Sequence, residues 1–403
     1  MAKPVIPRHP VPRLMQETAE ERLRSYPILT ITGPRQSGKT TLSRLLRPNF
    51  PYFSLEDPDN RAFANEDPRG FLRQARGGAI LDEVQRVPSL FSYLQSTVDA
   101  DRSMGQYILT GSSQFELIES ITQSLAGRST LLTLLPFTLG ELQTAKRAPQ
   151  SVGALLHAGL FPPIYDRPVA ATTWLQDYVA TYLERDVRAI LNIQDITAFQ
   201  RFVQLCAGRC GQLLNITSLA ADTGVTRATA QTWLTVLQAS YLVFLIHPWS
   251  ANLSKRLIKS PKLYFCDPGL AAWLIGIREA AHLTAHPQRG ALFENWAMTE
   301  LLKAQMNRGH KPSLHFLRNK QGNEVDALVE TAPGCLHAIE IKSGATIASD
   351  YFAGLDYWRN QLSDLQITPW LIHGGSVQQQ RERGHVLPWD NLEPLLAQLN
   401  GLA

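Results

Sequence analysis

The stretch ILTITGPRQSGKTTLSRLL, residues 28–46, contains the residues that decide the fold of the first part of this chain. Its first five residues are apolar or β-branched, a composition typical of a buried parallel strand. Residues 33–40 then match the pattern G-x-x-x-x-G-K-[ST], and apolar residues at helical spacing follow them. A strand, a glycine-containing turn and a helix in this order predict a phosphate-binding loop.

The residue types in this turn suit the binding of a nucleoside triphosphate such as ATP together with Mg²⁺. Glycines allow backbone N–H groups to curl around phosphate oxygens, and the following helix adds the positive end of its dipole. We expect Lys39 to reach the β and γ phosphates and Thr40 to bind Mg²⁺ through its hydroxyl. The residues expected to contact the nucleotide are Gly33, Pro34, Arg35, Gln36, Ser37, Gly38, Lys39, Thr40 and Thr41.

A second apolar run supplies the acidic residues that hydrolysis of a bound nucleotide requires. Residues 79–81 (AIL) are followed by Asp82 and Glu83, about 40 residues after the loop. We expect Asp82 to hold Mg²⁺ through its water shell and Glu83 to polarise the attacking water.

A third apolar run, residues 106–114 (QYILTGSSQ), ends in small hydroxyl residues. Thr110, Ser112 or Ser113 would hydrogen-bond the γ-phosphate or the water, or would only form the turn after the strand. Among these residues we take Ser112 as the expected nucleotide contact, although the sequence does not decide which of them is the polar sensor.

Residues from about 20 to 145 resemble an AAA-type ATPase of the bacterial and archaeal group whose loop reads GPRQSGKTT and whose acidic strand reads LDEVQ. The later stretches LTGSS and SLAGR are also similar. The resemblance implies a polar sensor after the third strand and an arginine finger at Arg128 that reaches the nucleotide of a neighbouring subunit. The alternative for Arg128 is a surface salt bridge. An arginine acting between subunits requires a ring, which we expect to be a hexamer, or at least a dimer.

The middle of the chain predicts a helical lid and a helix-turn-helix unit. Residues 173–193 carry apolar residues at helical spacing, which favours a lid behind the nucleotide site. Residues 214–246 predict a short helix, a turn at Thr223 and Gly224, and a second helix. A basic wing follows, with Lys255, Arg256, Lys259 and Lys262. This winged helix-turn-helix would place a helix in a DNA groove and lysines on phosphates, or would serve as a protein contact.

The last third of the chain carries a separate group of charged residues. Residues 290–305 predict an amphipathic helix with Glu294 near its start. Residues 314–330 predict a hairpin with its turn around Gly322, and Asp326 lies in the strand after that turn. In residues 336–344 (LHAIEIKSG), Glu340 and Lys342 alternate with apolar residues and would share one surface with Asp326. Two carboxylates and a lysine in this arrangement favour a Mg²⁺ site where the lysine orients or deprotonates water.

This pattern resembles the restriction-endonuclease-like superfamily. The resemblance implies that Asp326 and Glu340 are metal ligands, that Lys342 is the catalytic lysine and that Glu294 is an auxiliary ligand. Val325 stands where that superfamily usually has proline, and the alternative is a solvated charged strand face. Together with the AAA-type loop and the winged-helix middle, the pattern resembles one family across nearly the whole chain.

Composition and charge set broad limits on the class of protein. With 44% hydrophobic and 18% charged residues the chain is typical of a globular protein, and a net charge of +4 is too small to predict a nucleic-acid partner by itself. Prolines interrupt the amino terminus, and no segment approaches 18 uncharged apolar residues, which predicts a cytoplasmic protein without membrane spans.

The sequence therefore predicts an α/β chain with four parts. They are a P-loop AAA-type parallel-sheet ATPase core (1–145), a helical lid (146–210), a winged-helix domain (211–285) and a restriction-endonuclease-like domain (286–403). The leading hypothesis is a Mg²⁺-dependent ATP-hydrolysing oligomeric motor that acts on DNA, with a terminal domain that cuts DNA or only holds it. The alternative is a nucleotide-dependent switch whose terminal domain is a docking module.

Overall fold

The computed structural model describes residues 9–112, 124–181, 195–250 and 260–401. The first sheet is formed by short, largely apolar segments from the first third of the chain. Its strands are β1 (Ile28–Thr32), β2 (Tyr52–Ser54), β3 (Ala79–Asp82), β4 (Tyr107–Gly111) and β5 (Ser129–Thr133). All are parallel, in the order β2-β3-β4-β1-β5. Since parallel strands end at one edge, the loop after β1 and the acids after β3 share that edge.

Helices cover both faces of this sheet, as the continuous apolar character of its strands requires. They are α1 (Met15–Ser25), α2 (Lys39–Leu46), α3 (Pro58–Glu66), α4 (Pro68–Gln74) and α5 (Leu90–Ala100). Leu29 and Ile31 of β1 pack towards α1 and α2, whereas Ile28 packs towards α4 and α5. The two faces follow from the period of two along a strand. The predicted α/β core with a parallel sheet is confirmed.

The middle of the described chain is helical. Its helices are α6 (Leu139–Thr144), α7 (Val152–Ala158), α8 (Pro162–Asp166), α9 (Ala171–Tyr178), α10 (Ile196–Gly208), α11 (Ile216–Thr223) and α12 (Arg227–Ala239). Helix α11 ends at Gly224, which has a left-handed backbone, and the Thr226 side chain accepts a hydrogen bond from the first turn of α12. The predicted helix over 173–193 lies partly outside the described residues.

The second sheet has eight strands in the order β12-β13-β11-β10-β9-β8-β6-β7 within the described ranges. Their bounds are β6 (Val243–Pro248), β7 (Lys262–Phe265), β8 (Leu314–Arg318), β9 (Glu324–Ala332), β10 (Cys335–Lys342), β11 (Gln366–His373), β12 (Gln379–Arg381) and β13 (Gly384–Pro388). The helices of this part are α13 (Pro268–Leu274), α14 (Arg289–Asn307), α15 (Ala353–Gln361) and α16 (Glu393–Asn400).

The segment expected to form the basic wing, residues 252–265, contributes one strand, β7, to this sheet. Strand β7 pairs with β6, and β6 runs parallel to β8, so β6 joins the expected wing strand to the last third of the chain within one sheet. The expected boundary at residue 285 therefore does not separate two sheets, and the bounds of the four expected domains stay predictions. Lys255, Arg256 and Lys259 lie outside the described residues.

One apolar core extends from the lid through the helix-turn-helix to the last helix, and it includes Val11 and Leu399. Helix α14 lies in this core, with Trp296 and Phe293 fully buried. Among the described helices, none combines the length and the apolar character that a bilayer crossing needs.

Candidate functional site

The phosphate loop between β1 and α2 has a backbone that requires glycine at two positions. Gly33 has φ +141°, and a Cβ atom there would lie 2.1 Å from the carbonyl oxygen of Leu134. Gly38, at the start of α2, has φ +96° in the left-handed region. The two glycines therefore allow the chain to turn tightly and to approach the segment after β5.

Lys39 lies inside this turn. Its Nζ donates hydrogen bonds of 2.9 Å to the carbonyl oxygens of Gly33 and Pro34, and only 6% of the residue is exposed. Burial lowers the pKa of Lys39, and the nearby carboxylates of Glu83 and Asp82 oppose that shift. The ammonium group is therefore held at the centre of the loop, where phosphate oxygens can replace backbone carbonyls as its partners.

Asp82 lies at the end of β3, and hydroxyl groups from three other elements surround its carboxylate. The hydroxyl of Thr40 donates to Oδ2 over 3.1 Å, and those of Tyr52 and Thr110 also donate to the carboxylate. Burial raises the pKa of Tyr52, and the charge of Asp82 adds to the effect. A hydroxyl beside an oriented carboxylate is a set of oxygen ligands that suits Mg²⁺, and Thr40 and Asp82 form such a pair.

Glu83 follows Asp82 with a left-handed backbone, φ +55°, which is uncommon for a residue other than glycine. Its Oε2 accepts hydrogen bonds from the Ser112 hydroxyl over 3.0 Å and from Gln85 Nε2 over 2.6 Å. Ser112 thus contacts the acid, whereas Thr110 contacts Asp82, and Ser113 lies outside the described residues. These contacts hold the Glu83 carboxylate at the mouth of the loop.

These groups line a cleft of about 600 Å³. The loop and α2 contribute Arg35, Gln36, Gly38, Lys39, Thr40 and Thr41, the ends of β2 and β3 with the residues after them contribute Glu56, Asp82 and Glu83, and α8 with the residue after it, in the expected lid, contributes Pro162, Pro163, Asp166 and Arg167. Arg167 donates a long hydrogen bond of 3.5 Å to Gln36. The lid residues carry no sequence motif, so only the packing of α8 against the loop identifies them.

Arg13 is a further residue of this site that the sequence analysis missed. It is 7% exposed, and its guanidinium donates to the carbonyl oxygens of Ser37 over 2.7 Å and Leu135 over 2.6 Å, and to Glu141 over 3.1 Å. Arg13 thus ties the phosphate loop to the segment after β5. Its partners lie far away along the chain, so no local pattern reveals it.

Arg128 does not reach the cleft of its own chain. It precedes Ser129, which pairs with Ile28 at the amino-terminal edge of the sheet, whereas the loop follows the other end of β1. A five-residue strand, about 16 Å long, separates the two edges. The Arg128 guanidinium forms two hydrogen bonds with the exposed Asp99, of 2.6 and 2.8 Å. The surface salt bridge given above as the alternative is therefore present, and a role towards a neighbouring subunit stays a prediction.

The charged residues of the last third also come together. Asp326 on β9 and Glu340 and Lys342 on β10 lie side by side, with Lys342 Nζ 2.5 Å from Glu340 and 3.8 Å from Asp326. Asp326 also accepts a hydrogen bond of 2.8 Å from the backbone N–H of Ile341. Burial alone would lower the pKa of Lys342, but Asp326 and Glu340 outweigh it and the pKa is raised. We name Glu294, Asp326, Glu340 and Lys342, with Lys262 and Glu324, the carboxylate–lysine cluster.

Glu294, on α14, joins the cluster through a lysine that was expected elsewhere. Its carboxylate accepts hydrogen bonds from Lys262 over 3.0 Å and from the Tyr264 hydroxyl over 2.6 Å, and Lys262 also pairs with Glu324 at 2.5 Å. The Lys262 side chain is 3% exposed, so the expectation that it contacts phosphates from a basic wing is wrong. Burial raises the pKa of Glu294 to about 7, and Asp326 adds to the shift.

One carboxylate oxygen of the cluster, Glu340 Oε2, is buried and lacks a hydrogen-bond partner among the described residues. Burial raises the pKa of Glu340 to about 8, and the charge of Asp326 contributes next. In the part of the chain that is described, no three histidine, cysteine, aspartate or glutamate side chains are grouped closely enough to hold a metal ion. The predicted ligands Glu294, Asp326 and Glu340 are instead paired with lysines, and their metal roles stay predictions.

Comparison with known families divides the chain into three matched segments. Residues 25–143 match an AAA domain. Residues 150–281 match a domain of unknown function, DUF8612, and residues 289–392 match another, DUF4143. The first match covers the phosphate loop and both acidic residues, Asp82 and Glu83. The P-loop ATPase assignment is therefore confirmed for the first segment.

Among solved structures, the Walker-type ATPase PABY2304 of Pyrococcus abyssi is similar at 15% identity and a TM-score of 0.43, covering 64% of this chain and 94% of that one. A signal transduction ATPase with numerous domains and a tetratricopeptide repeat sensor, PH0952 from Pyrococcus horikoshii, has 10% identity and a TM-score of 0.22, covering 74% and 48%.

Two curated relatives extend the match beyond the first segment. The proteins Rv2008c of Mycobacterium tuberculosis and Mb2031c of Mycobacterium bovis are each 32% identical to this chain over 327 residues. The match covers 80% of this chain and 72% of each relative. The chain therefore belongs to one family with these two mycobacterial proteins, and its residues 25–143 are an AAA domain of the P-loop ATPase type.

Proposed function

We propose that the chain binds ATP with Mg²⁺ in the cleft at the phosphate loop and hydrolyses it there. The observation that carries this proposal is the convergence of Lys39, Thr40, Asp82 and Glu83 on one cleft from two separate places, the start of α2 and the end of β3. The cleft volume of about 600 Å³ suits a nucleotide, since small-molecule sites commonly measure about 300–1,000 Å³.

Each residue of the cleft has a defined part in this reaction. The loop N–H groups and Lys39 bind the β and γ phosphates, and Thr40 and Asp82 would hold Mg²⁺, which when bound neutralises phosphate charge. Glu83, oriented by Ser112 and Gln85, accepts the proton of a water molecule whose oxygen attacks the γ-phosphorus. The bond between the γ-phosphorus and the bridging oxygen breaks, and ADP and phosphate leave.

Binding and turnover by the purified full chain test this proposal directly. We expect a fluorescent ATP analogue to bind in the presence of Mg²⁺, and phosphate release to stop when EDTA is added. A chain that is folded by circular dichroism but binds no ATP at millimolar nucleotide would contradict the proposal.

We further propose that the chain works as an oligomer, with Arg128 completing the site of its neighbour. This proposal rests on the position of Arg128 at the sheet edge opposite to its own cleft, on an exposed surface. An Arg128→Ala variant and a Lys39→Ala variant, each inactive alone, should regain turnover when mixed, because one interface then has both groups. Arg102→Ala, an exposed arginine on the same edge, is the matched control and should keep full activity. Mixtures that remain inactive would contradict a shared site.

For the action of this ATPase we propose DNA as the partner. Support comes from the helix-turn-helix of α11 and α12, in which Arg227 and Gln231 are exposed on the second helix. Duplex, branched and single-stranded DNA should each be added to the turnover assay at moderate salt. Stimulation by at least one of them is expected. Unchanged turnover together with binding weaker than micromolar would exclude the motor.

The carboxylate–lysine cluster favours a second activity, cleavage of a phosphodiester bond. The specific observation is the unpartnered Glu340 Oε2, in the described part of the chain, beside Asp326 and Lys342. Asp326 and Glu340 would hold a divalent cation, which when bound supplies a polarised water, and Lys342 would orient that water. Mg²⁺- or Mn²⁺-dependent cleavage should be lost in Asp326→Ala and Lys342→Ala but kept in Asp364→Asn, an exposed carboxylate of the same part. Cleavage that survives the first two variants would place the activity elsewhere.

The alternative is a nucleotide-dependent switch in which the terminal part is a docking module. It is favoured by the single apolar core that joins the lid, the helix-turn-helix and α14. A switch predicts that ATP and ADP change hydrogen exchange in the second sheet while DNA leaves turnover unchanged. The DNA panel and the exchange measurement together therefore separate the two hypotheses.

A further inference from the structure

Tyr241, just after α12 in the carboxyl-terminal half of the chain, contacts the end of β1, the strand that leads into the phosphate loop. Its hydroxyl donates a hydrogen bond of 2.7 Å to Thr32 Oγ1. Thr32 is the last residue of β1, directly before Gly33, and its hydroxyl also lies 3.0 Å from the hydroxyl of Thr133. The backbone of Tyr241 has φ +57°, which is uncommon for a bulky residue. The chain thus adopts an unfavourable backbone conformation where this hydroxyl is aimed at the base of the loop.

A second contact comes from α14. Lys303 Nζ donates a hydrogen bond of 2.7 Å to the carbonyl oxygen of Phe137, and Glu300 accepts one of 2.9 Å from the N–H of Leu139. The two side chains also pair at 3.3 Å, and 1% and 3% of their surfaces are exposed. A buried ion pair persists when hydrogen bonds satisfy both partners, and here backbone groups of the segment after β5 supply those bonds.

The segment that α14 contacts, residues 134–141, also contacts the phosphate loop. The Leu134 carbonyl lies against Gly33, where no side chain fits, and Arg13 joins the Leu135 carbonyl to the Ser37 carbonyl. Glu141 accepts both from Arg13 and from the backbone N–H of Thr138. A continuous set of buried polar contacts therefore runs from α14 through residues 134–141 to the loop.

We propose that the carboxyl-terminal half positions the phosphate loop, with Tyr241 acting through Thr32 and the Glu300–Lys303 pair acting through residues 134–141. These are positioning residues for nucleotide binding, because none of them lines the cleft. The inference rests on the proposed function, since it concerns the same nucleotide site. Helix α14 also carries Glu294 of the carboxylate–lysine cluster, six residues or about 9 Å before Glu300, so one rigid element touches both sites.

The decisive experiment is a double-mutant cycle on the Tyr241–Thr32 hydrogen bond. Each of Tyr241→Phe and Thr32→Val removes one hydroxyl. We expect the Kd of fluorescent ADP to rise about fivefold in Tyr241→Phe, equal to about 1 kcal/mol, and by at least as much in Thr32→Val, which also loses the contact with Thr133. The double variant should show no further loss relative to Thr32→Val, because that change already removes the bond that Tyr241→Phe breaks. Thr32→Ser, which keeps the hydroxyl, should restore affinity to within twofold of the wild type.

The matched control is Tyr357→Phe, whose hydroxyl accepts a hydrogen bond of 2.9 Å from Asn319 in the last third of the chain. This change removes a tyrosine hydroxyl that also makes a side-chain hydrogen bond, here as an acceptor, but has no contact to the loop, so the Kd should equal that of the wild type. Melting temperatures of all variants are compared, and a loss of affinity at unchanged melting temperature identifies positioning instead of general destabilisation.

For the second contact, the charge-removing pair Glu300→Gln with Lys303→Met should also weaken ADP binding. Where that variant fails to fold, the Tyr241–Thr32 cycle decides. Equal ADP affinity in Tyr241→Phe, Thr32→Val and Tyr357→Phe overturns the inference while the proposed ATPase stands. A wild-type chain that binds no nucleotide overturns the proposed function and this inference together.

Discussion

The phosphate-loop cleft and the carboxylate–lysine cluster both combine acids with lysines, but they are organised differently. In the cleft, Lys39 bonds to backbone carbonyls, and Asp82 and Glu83 are held by hydroxyl and amide groups. In the cluster, the lysines bond to the carboxylates themselves. The cleft thus keeps opposite charges apart around an opening of about 600 Å³, whereas in the cluster each lysine directly contacts two carboxylates.

The pKa of a lysine shifts in opposite directions in the two regions. Burial dominates at Lys39 and lowers its pKa, whereas at Lys342 the charges of Asp326 and Glu340 outweigh burial and the pKa is raised. A neighbouring carboxylate stabilises an ammonium group in proportion to its proximity, and the cluster brings its carboxylates closer. The direction of the pKa shift of a lysine therefore follows from its burial and its neighbouring carboxylates, and the sequence motif alone does not determine it.

The largest effect is expected at the cleft. Lys39→Ala removes the cation that binds the β and γ phosphates, and we expect kcat/KM for ATP to fall by about 10³-fold or more. Phosphate release at saturating and limiting ATP measures the change. Retained hydrolysis would show that Lys39 has no part in the reaction and that the cleft does not differ from the cluster in the way its lysine is used.

The next effect belongs to the cluster and concerns stability. Lys262→Met removes the buried cation that Glu294 and Glu324 share, and since both acids are only partly buried we expect the free energy of unfolding to fall by about 3 kcal/mol. Urea denaturation measures it. Arg318→Met, which removes the exposed partner of Glu324, is the control and should cost less than about 1 kcal/mol. Equal losses in both variants would mean that the contacts of Lys262 with Glu294 and Glu324 contribute no more than an exposed ion pair.

A smaller change in the cleft separates binding from chemistry. Glu83→Gln keeps the shape of the side chain but cannot accept the proton of the attacking water, so we expect kcat to fall by about 10²-fold with ATP still bound. Single-turnover phosphate release and nucleotide binding are measured on the same sample. Glu66→Gln, an exposed acid on α3, is the control. Unchanged turnover in Glu83→Gln would remove its role as the base.

The smallest expected effect tests the orientation of that acid. Ser112→Ala removes the 3.0 Å hydrogen bond to Glu83, and we expect kcat to fall by about fivefold, the value of one hydrogen bond of about 1 kcal/mol. Ser96→Ala, an exposed serine on α5, provides the comparison. If kcat is equal in the two variants, Ser112 only shapes the turn, which was the other possibility open for it from the sequence.

Much of the cleft could be predicted from the sequence because its features are local. The strand, the turn and the helix of residues 28–46 occupy contiguous residues, and only glycine suits the backbone at positions 33 and 38. Parallel strands then bring Asp82 and Thr32 to one edge without further information. The alternation in β10 likewise indicated that Glu340 and Lys342 share a face.

Other features could not be predicted, since they depend on partners far apart in the chain. Arg13 and Glu141 are 128 residues apart, and neither belongs to a pattern that indicates the other. Lys262 was expected on an exposed wing, but the pairing of β7 and β6 with the second sheet brings it beneath Glu294 and Glu324. Likewise, no sequence pattern indicates that Tyr241 contacts Thr32 or that Lys303 contacts the carbonyl oxygen of Phe137.

The sequence by itself thus determined that this protein has a phosphate loop, the acids beside it and a charged face on a later strand, because backbone conformation and side-chain period are properties of neighbouring residues. Only the tertiary structure decided which charges are paired, that α8 lines the cleft and how the last third contacts the segment beside the loop. Burial and the distance between charges set these outcomes, and both quantities exist only once distant segments have packed together.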